Sequence, residues 1–220
     1  MARARRLAMV AVVLAVGFGI AHAAQDPAST VVPEDDMKAA DLFVAADRGE
    51  LLIDGDLARG TARRLQAMLR ADSNIRSIAL ESDGGLVDEA EQIGDLVAAR
   101  GLVTVVRRRC VSACTLAFVR GRERLAEVGA KLGFHAPWVP AEGGGERQVP
   151  SDEERAAYVA AGIAADFVAE ALAVPSTSIW FPENERLIGA KVVTALLTPD
   201  DLSARLARIA QPSRHAAAGE

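Results

Sequence analysis

The chain has 220 residues, a formal net charge of −5, half of its residues hydrophobic and only 4% aromatic. That is enough for one well-buried domain and too little for two of ordinary size. An acidic balance with few aromatics weighs against nucleic-acid binding, and two cysteines do not make a disulfide-rich scaffold.

Residues 1–23 place Arg3, Arg5 and Arg6 before an apolar run from Leu7 to Ile20 and end in Ala21-His22-Ala23. This is the pattern of a secretory signal peptide, so cleavage is expected after Ala23 and the mature chain is expected in the periplasm or secreted. The apolar run is shorter than the roughly 20 residues a spanning helix prefers. A membrane anchor therefore results only if the signal stays uncleaved. Cleavage removes three arginines, leaves 197 residues and moves the formal charge from −5 to −8. An exported chain meets an oxidising compartment, where two cysteines are free to pair. Residues 24–36, polar with two prolines, read as a linker.

From there the domain is expected to run over 37–210. ELLIDGDL (50–57) reads as a strand and turn, and apolar positions at Ala62, Leu65, Met68 and Leu69 predict a helix over 58–71. IRSIALES (75–82) is a strand ending in Asp83-Gly84-Gly85. Leu86, Ala90, Ile93 and Val97 then share one helical face. GLVTVV (101–106) reads as a buried strand, Ser112 to Val119 as a short apolar helix, and KLGFH (131–135) as a further strand. Residues 136–150, with three consecutive glycines and three prolines, read as a loop. Residues 152–173 predict one Ala-rich helix, 199–209 a last short helix, and 211–220 a frayed tail. Strands alternating with helices imply βαβ units and a mainly parallel sheet.

Chemistry concentrates in VVRRRCVSACTLAFVRG (105–121), where the only two cysteines bracket Ser112. The stretch could be a disulfide, a metal clip or a turn presenting a serine. A serine hydroxyl attacks an acyl carbon only if a base takes its proton and donors hold the oxyanion. His22 and His215 lie in the signal and tail, which leaves His135 as the only histidine available as a base inside the domain. Ser112 opens a helical run, so it also suits a helix cap. At that junction free backbone N–H groups point outward, that of Ala113 among them. Gly84-Gly85 ends another strand in a way that lets backbone approach a ligand closely. Arg107-Arg108-Arg109 suit either an anionic ligand or a solvated strand end.

Taken in order, Ser82-Asp83-Gly84-Gly85, Ser112 and His135-Ala136-Pro137 resemble the catalytic core of the ClpP/crotonase-like superfamily. The likeness runs from about Leu51 to Thr198 and is strongest to its exported, stand-alone bacterial members. The resemblance implies an α/β fold of repeated βαβ (spiral) units, with a mainly parallel sheet flanked by helices. It also implies roles: Ser112 as nucleophile, His135 as base, and an oxyanion hole from Gly84, Gly85 and Ala113. The family's acidic third member would fall near Ser178–Ile179, where this sequence has no Asp or Glu; Glu183 is off register, and Ser176, Thr177 or Ser178 could hold an imidazole only weakly. A Ser–Lys pair, with Lys131 or Lys191 as base, is the family's other mechanism. Against this background the cysteines straddle the nucleophile turn, and a Cys110–Cys114 bridge would clip it. Two cysteines and one histidine fall short of a closed zinc shell, and no metal or cofactor is expected.

Two functions follow. One is an exported serine peptidase-like hydrolase acting on peptides or small acyl compounds, without an ATPase partner. The other is a binding or assembly module that has lost efficient chemistry. A crotonase-type acyl-CoA reaction is a weaker third, since CoA chemistry is not expected outside the cytoplasm. The resemblance also implies self-association into a homo-oligomer.

Overall fold

The computed structural model describes residues 37–142 and 144–211. The expected signal peptide, linker and all but the first residue of the tail lie outside the described residues.

A hairpin opens the domain: β1 (Asp41–Ala45) runs antiparallel to β2 (Glu50–Asp54), joined by a 3-10 turn and Gly49 at φ 58°. The chain then alternates through α1 (Thr61–Ala71), β3 (Ser77–Glu81), α2 (Val87–Ala99) and β4 (Val103–Val106). Next come β5 (Arg109–Val111), α3 (Ala113–Phe118), β6 (Arg124–Glu127) and β7 (Lys131–Gly133). A second hairpin, β8 (Trp138–Pro140) and β9 (Glu146–Gln148), precedes α4 (Asp152–Ala160) and α5 (Ala165–Ala173). The domain closes with α6 (Asn184–Gly189), β10 (Ala195–Leu197) and α7 (Pro199–Ala210).

The main sheet has the order β1-β2-β3-β4-β6-β10, parallel throughout except for β1. Every residue of β3 and β4 is buried, as expected of strands covered on both faces. Ile78 and Leu80 of β3 face the larger core with Leu65, Leu69, Ile93, Val97 and Phe118. Ala79 between them faces a second core with Val103, Val105, Leu125, Leu202 and Leu206, beneath α7. That alternation places α7 across the sheet from α1 and α2. The α/β class, the parallel sheet and its flanking helices are as the βαβ pattern predicts.

Four differences have local causes. The expected loop 136–150 contains the β8–β9 hairpin, with Trp138 opposite Gln148. The expected single helix over 152–173 is two helices. Gly162 adopts φ 79° just beyond α4, and the amides of Gly162 and Ile163 donate back to Val159 and Tyr158; this is a glycine helix stop. The strands β1, β5, β6 and β10 and the helix α6 were not expected. Apart from β1 these strands span only three or four residues, too short to show a period. A small parallel sheet, β5 with β7, sits beside the main one and is tied to it by a bridge between Ser82 and Cys110.

Candidate active site

Ser112 stands between β5 and α3 with φ 54° and ψ −130°. It is one of two non-glycine residues with positive φ among those described. Such a backbone costs roughly 1–3 kcal/mol and persists only where its surroundings enforce it. Here they do. The Val111 amide donates to the Ser82 carbonyl at 3.0 Å and the Ser112 amide to the Gly133 carbonyl at 2.9 Å, so strands on both sides hold the turn. The Ser112 carbonyl accepts from the Thr115 amide at 2.9 Å and the Thr115 hydroxyl at 2.7 Å. The buried Tyr158 hydroxyl in turn donates to Thr115 Oγ1 at 2.6 Å. Burial pushes the Tyr158 hydroxyl pKa up, which keeps it a donor.

Cys110 and Cys114 form a disulfide across this turn, with Cα atoms 5.4 Å apart and both residues fully buried. With both sulfurs bonded to each other, neither is available to a zinc clip in this state. The opening alternatives thus resolve into a serine turn closed by a disulfide.

Gly84 packs directly against the turn at φ 114°; a Cβ there would sit 2.8 Å from Ser112 Cβ and 3.0 Å from the Val111 carbonyl oxygen. Its amide, expected as an oxyanion donor, has a partner within the turn. The Gly84 amide donates to Ser82 Oγ at 3.1 Å while the Ser82 hydroxyl returns a bond to the Gly84 carbonyl at 3.2 Å. A serine two residues back closes this tight turn on itself and consumes the N–H. The amides of Gly85 and Ala113 have no acceptor among the described residues. Of the three amides expected to serve as oxyanion donors, those of Gly85 and Ala113 are the ones left free among the described residues.

His135 follows β7 and is half-buried. Both neighbours are pinned: Phe134 exchanges two 2.9 Å bonds with Trp180, and the Ala136 amide donates to the Val174 carbonyl at 2.9 Å. The ring's Nδ1 lies 2.7 Å from the Ala136 carbonyl oxygen. A carbonyl can only accept, so Nδ1 carries the proton of the neutral ring and Nε2 is left as the basic nitrogen. Burial lowers the imidazole pKa, opposed by the Ala136 carbonyl and by the charge of Glu146 on β9.

Ser112 and His135 line one cleft with Ala113, a cavity of about 20 Å³, roughly one water molecule in size. Val87, Leu116 and Leu172 form apolar walls, and Glu154 of α4 completes the lining with Tyr158. A larger cavity of about 470 Å³ lies beneath α7, lined by Glu123, Thr194 and Arg205, and shares no lining residue with that cleft.

The position expected for a third, acidic member is occupied by Ile179, whose Cγ2 would lie 2.7 Å from a Cβ at Gly133. Glu183 is exposed at the start of α6, and Ser176, Thr177 and Ser178 do not line the cleft. The Ala136 carbonyl takes the orienting position at Nδ1 instead. Lys131 and Lys191 are both exposed and outside the cleft. The three arginines are tied to acids: Arg107 to Glu50 at 2.9 Å, Arg108 to Glu81 at 3.3 Å and Arg109 to Asp83. The Glu81 carboxylate also accepts their three successive amides, each at 3.1 Å. That is a strand-end lock, which accounts for the arginine run without an anionic ligand.

Sequence reasoning missed Glu146 and Glu154. Glu146 follows a glycine run that shows no pattern. Glu154 closes a Ser-x-x-Glu spacing that points to helix capping rather than to a cleft.

No protein-family model matches the chain, and no curated protein sequence does. Its fold is ClpP/crotonase-like. A mutant of the 1510-N membrane-bound stomatin-specific protease superposes with a TM-score of 0.57 at 14% identity, covering 70% of this chain and 81% of that one. ClpP1 from Listeria monocytogenes gives 0.54 at 16%, covering 71% and 95%. An enoyl-CoA hydratase/isomerase family protein from Silicibacter pomeroyi gives 0.52 at 12%, covering 80% and 85%. Identities this low carry the fold, and the chemistry rests on the residues above.

Proposed function

We propose that this protein is an exported serine peptidase-like hydrolase of peptides or small acyl compounds. The observation that carries the reading is Ser112, held at positive φ between a strand and a helix in the same cleft as His135. In the proposed reaction His135 Nε2 accepts the hydroxyl proton as Ser112 Oγ attacks the acyl carbon. The Gly85 and Ala113 amides hold the oxyanion, and the imidazolium returns its proton to the leaving group. The Ala136 carbonyl keeps the ring in the required tautomer. Burial lowers the His135 pKa, which favours the neutral form that a base requires.

The test is labelling of the mature protein by a fluorophosphonate, beside Ser112→Ala and His135→Ala. Labelling is expected in the parent, absent in Ser112→Ala, and slowed by about 10²–10⁴-fold in His135→Ala. A parent that does not label, folded and oxidised, refutes the proposal. It would favour the binding-module reading, for which Ile179 in the acid's place is the supporting observation.

A further inference from the structure

The Ser112 carbonyl is held by more than its helix requires. It accepts from the Thr115 amide at 2.9 Å and from the Thr115 hydroxyl at 2.7 Å. A threonine in a first helical turn often bonds back to a nearby carbonyl, so that contact alone says little. The second observation lies outside the helix. Tyr158, on α4 and 43 positions further along, meets Thr115 Oγ1 at 2.6 Å. The Thr115 proton is committed to the Ser112 carbonyl, which can only accept, so the tyrosine donates here. Both residues are buried, which shields the contact from water. The Tyr158 ring packs against Phe134 with centroids 6.3 Å apart. A phenylalanine would supply that packing equally, so the hydroxyl serves the chain of bonds.

The consequence falls on the next residue. A trans peptide is planar, its carbonyl and N–H pointing in opposite directions, and the Ser112–Ala113 peptide is trans. Fixing the Ser112 carbonyl therefore fixes the Ala113 N–H as well. That N–H has no acceptor among the described residues, and Ala113 lines the cleft with Ser112 and His135. Ser112 at φ 54° stores strain that rotation of this peptide would help release. Two donors on its carbonyl oppose that rotation. Hydrogen bonds in series also polarise one another, so a chain ending on this carbonyl makes the Ala113 N–H a stronger donor.

We propose that Thr115 and Tyr158 are positioning residues that aim and polarise the Ala113 N–H as an oxyanion donor. Both act through the Ser112–Ala113 peptide rather than on the substrate. The proposal rests on the hydrolase reading of Ser112, and the experiment separates the two.

Fluorophosphonate labelling per folded molecule is measured in Thr115→Val, Thr115→Ser and Tyr158→Phe, with urea unfolding to confirm the fold and NMR to follow the Ser112 carbonyl carbon. Thr115→Val is expected to slow labelling roughly tenfold and Tyr158→Phe roughly threefold, within the value of one lost hydrogen bond. Thr115→Ser keeps the hydroxyl and is expected to restore the rate. The Ser112 carbonyl resonance is expected to move upfield in the valine variant, less in the phenylalanine variant, and to return in the serine variant. The acid limb of the rate against pH, set by His135, is expected to stay in place throughout. Parent-rate labelling in both Thr115→Val and Tyr158→Phe overturns the proposal, as does a serine variant as slow as the valine one. A displaced acid limb overturns it too, because the effect then lies on the base. If Thr115→Val does not fold, Tyr158→Phe decides by rate and resonance together. If the parent itself does not label, the hydrolase reading falls alone. The clamp is then judged by NMR: a carbonyl resonance unmoved in Tyr158→Phe overturns it, and an upfield shift supports it.

Discussion

The disulfide across the Ser112 turn has two separable effects, and replacing both Cys110 and Cys114 by alanine measures each. A bridge between residues separated by 4 positions removes about 2 kcal/mol of unfolded-state freedom on the loop-entropy relation. Both sulfurs are fully buried, and each leaves a methyl-sized void worth about 1 kcal/mol. The loss of about 4 kcal/mol corresponds to roughly 8–16 °C in Tm for a domain of this size. Urea unfolding followed by the fluorescence of Trp138 and Trp180 gives the stability directly. The second effect is local. Ser112 at φ 54° stores about 1–3 kcal/mol, and the bridge closes over that residue from both sides. Without it the serine can relax, and labelling per folded molecule, measured well below the transition, is expected to fall roughly tenfold. If the variant loses stability but labels at the parent rate, the bridge is a staple for the fold and the reasoning about Ser112 is wrong.

Gly84→Ala forces a Cβ to within 2.8 Å of Ser112 Cβ at a backbone φ of 114°. Neither the backbone carbonyl of Val111 nor the serine can yield without moving the Ser112 turn. A destabilisation of about 2–4 kcal/mol with loss of labelling is expected by urea titration and probe; parent-like reactivity would mean the turn is not tightly packed. Glu146→Gln removes a charge that raises the His135 pKa. The acid limb of the labelling rate against pH is expected to move to lower pH, while a limb that stays or rises contradicts the contact. His135 itself has a folded pKa below its unfolded one. The stability it contributes is therefore present above the usual histidine range and lost as pH falls through it, which NMR titration beside urea unfolding at each pH can follow.

What the sequence determined by itself is local. Ala62, Leu65 and Leu69, and Ala90, Ile93 and Val97, repeat at helical spacing because one face of each helix must be apolar. The Gly84-Gly85 pair marked a turn because only glycine adopts its φ values cheaply, and Ser112 marked a strand-to-helix junction. Those signals sufficed for the fold class and to single out Ser112 and His135, which the structure places in one cleft. The tertiary structure decided the rest. Strands such as β5 and β10, each of three residues, carry no period of their own and exist because neighbouring strands supply their hydrogen bonds. The Gly84 amide is taken up by Ser82 Oγ while that of Gly85 stays free among the described residues. The orienting group for His135 is a backbone carbonyl, which every residue possesses and no sequence pattern marks. Glu154 reaches the cleft from a helix 42 positions beyond Ser112, a placement that no local pattern marks. Burial and partnership are properties of distant segments brought together, so they become visible only once the chain is folded.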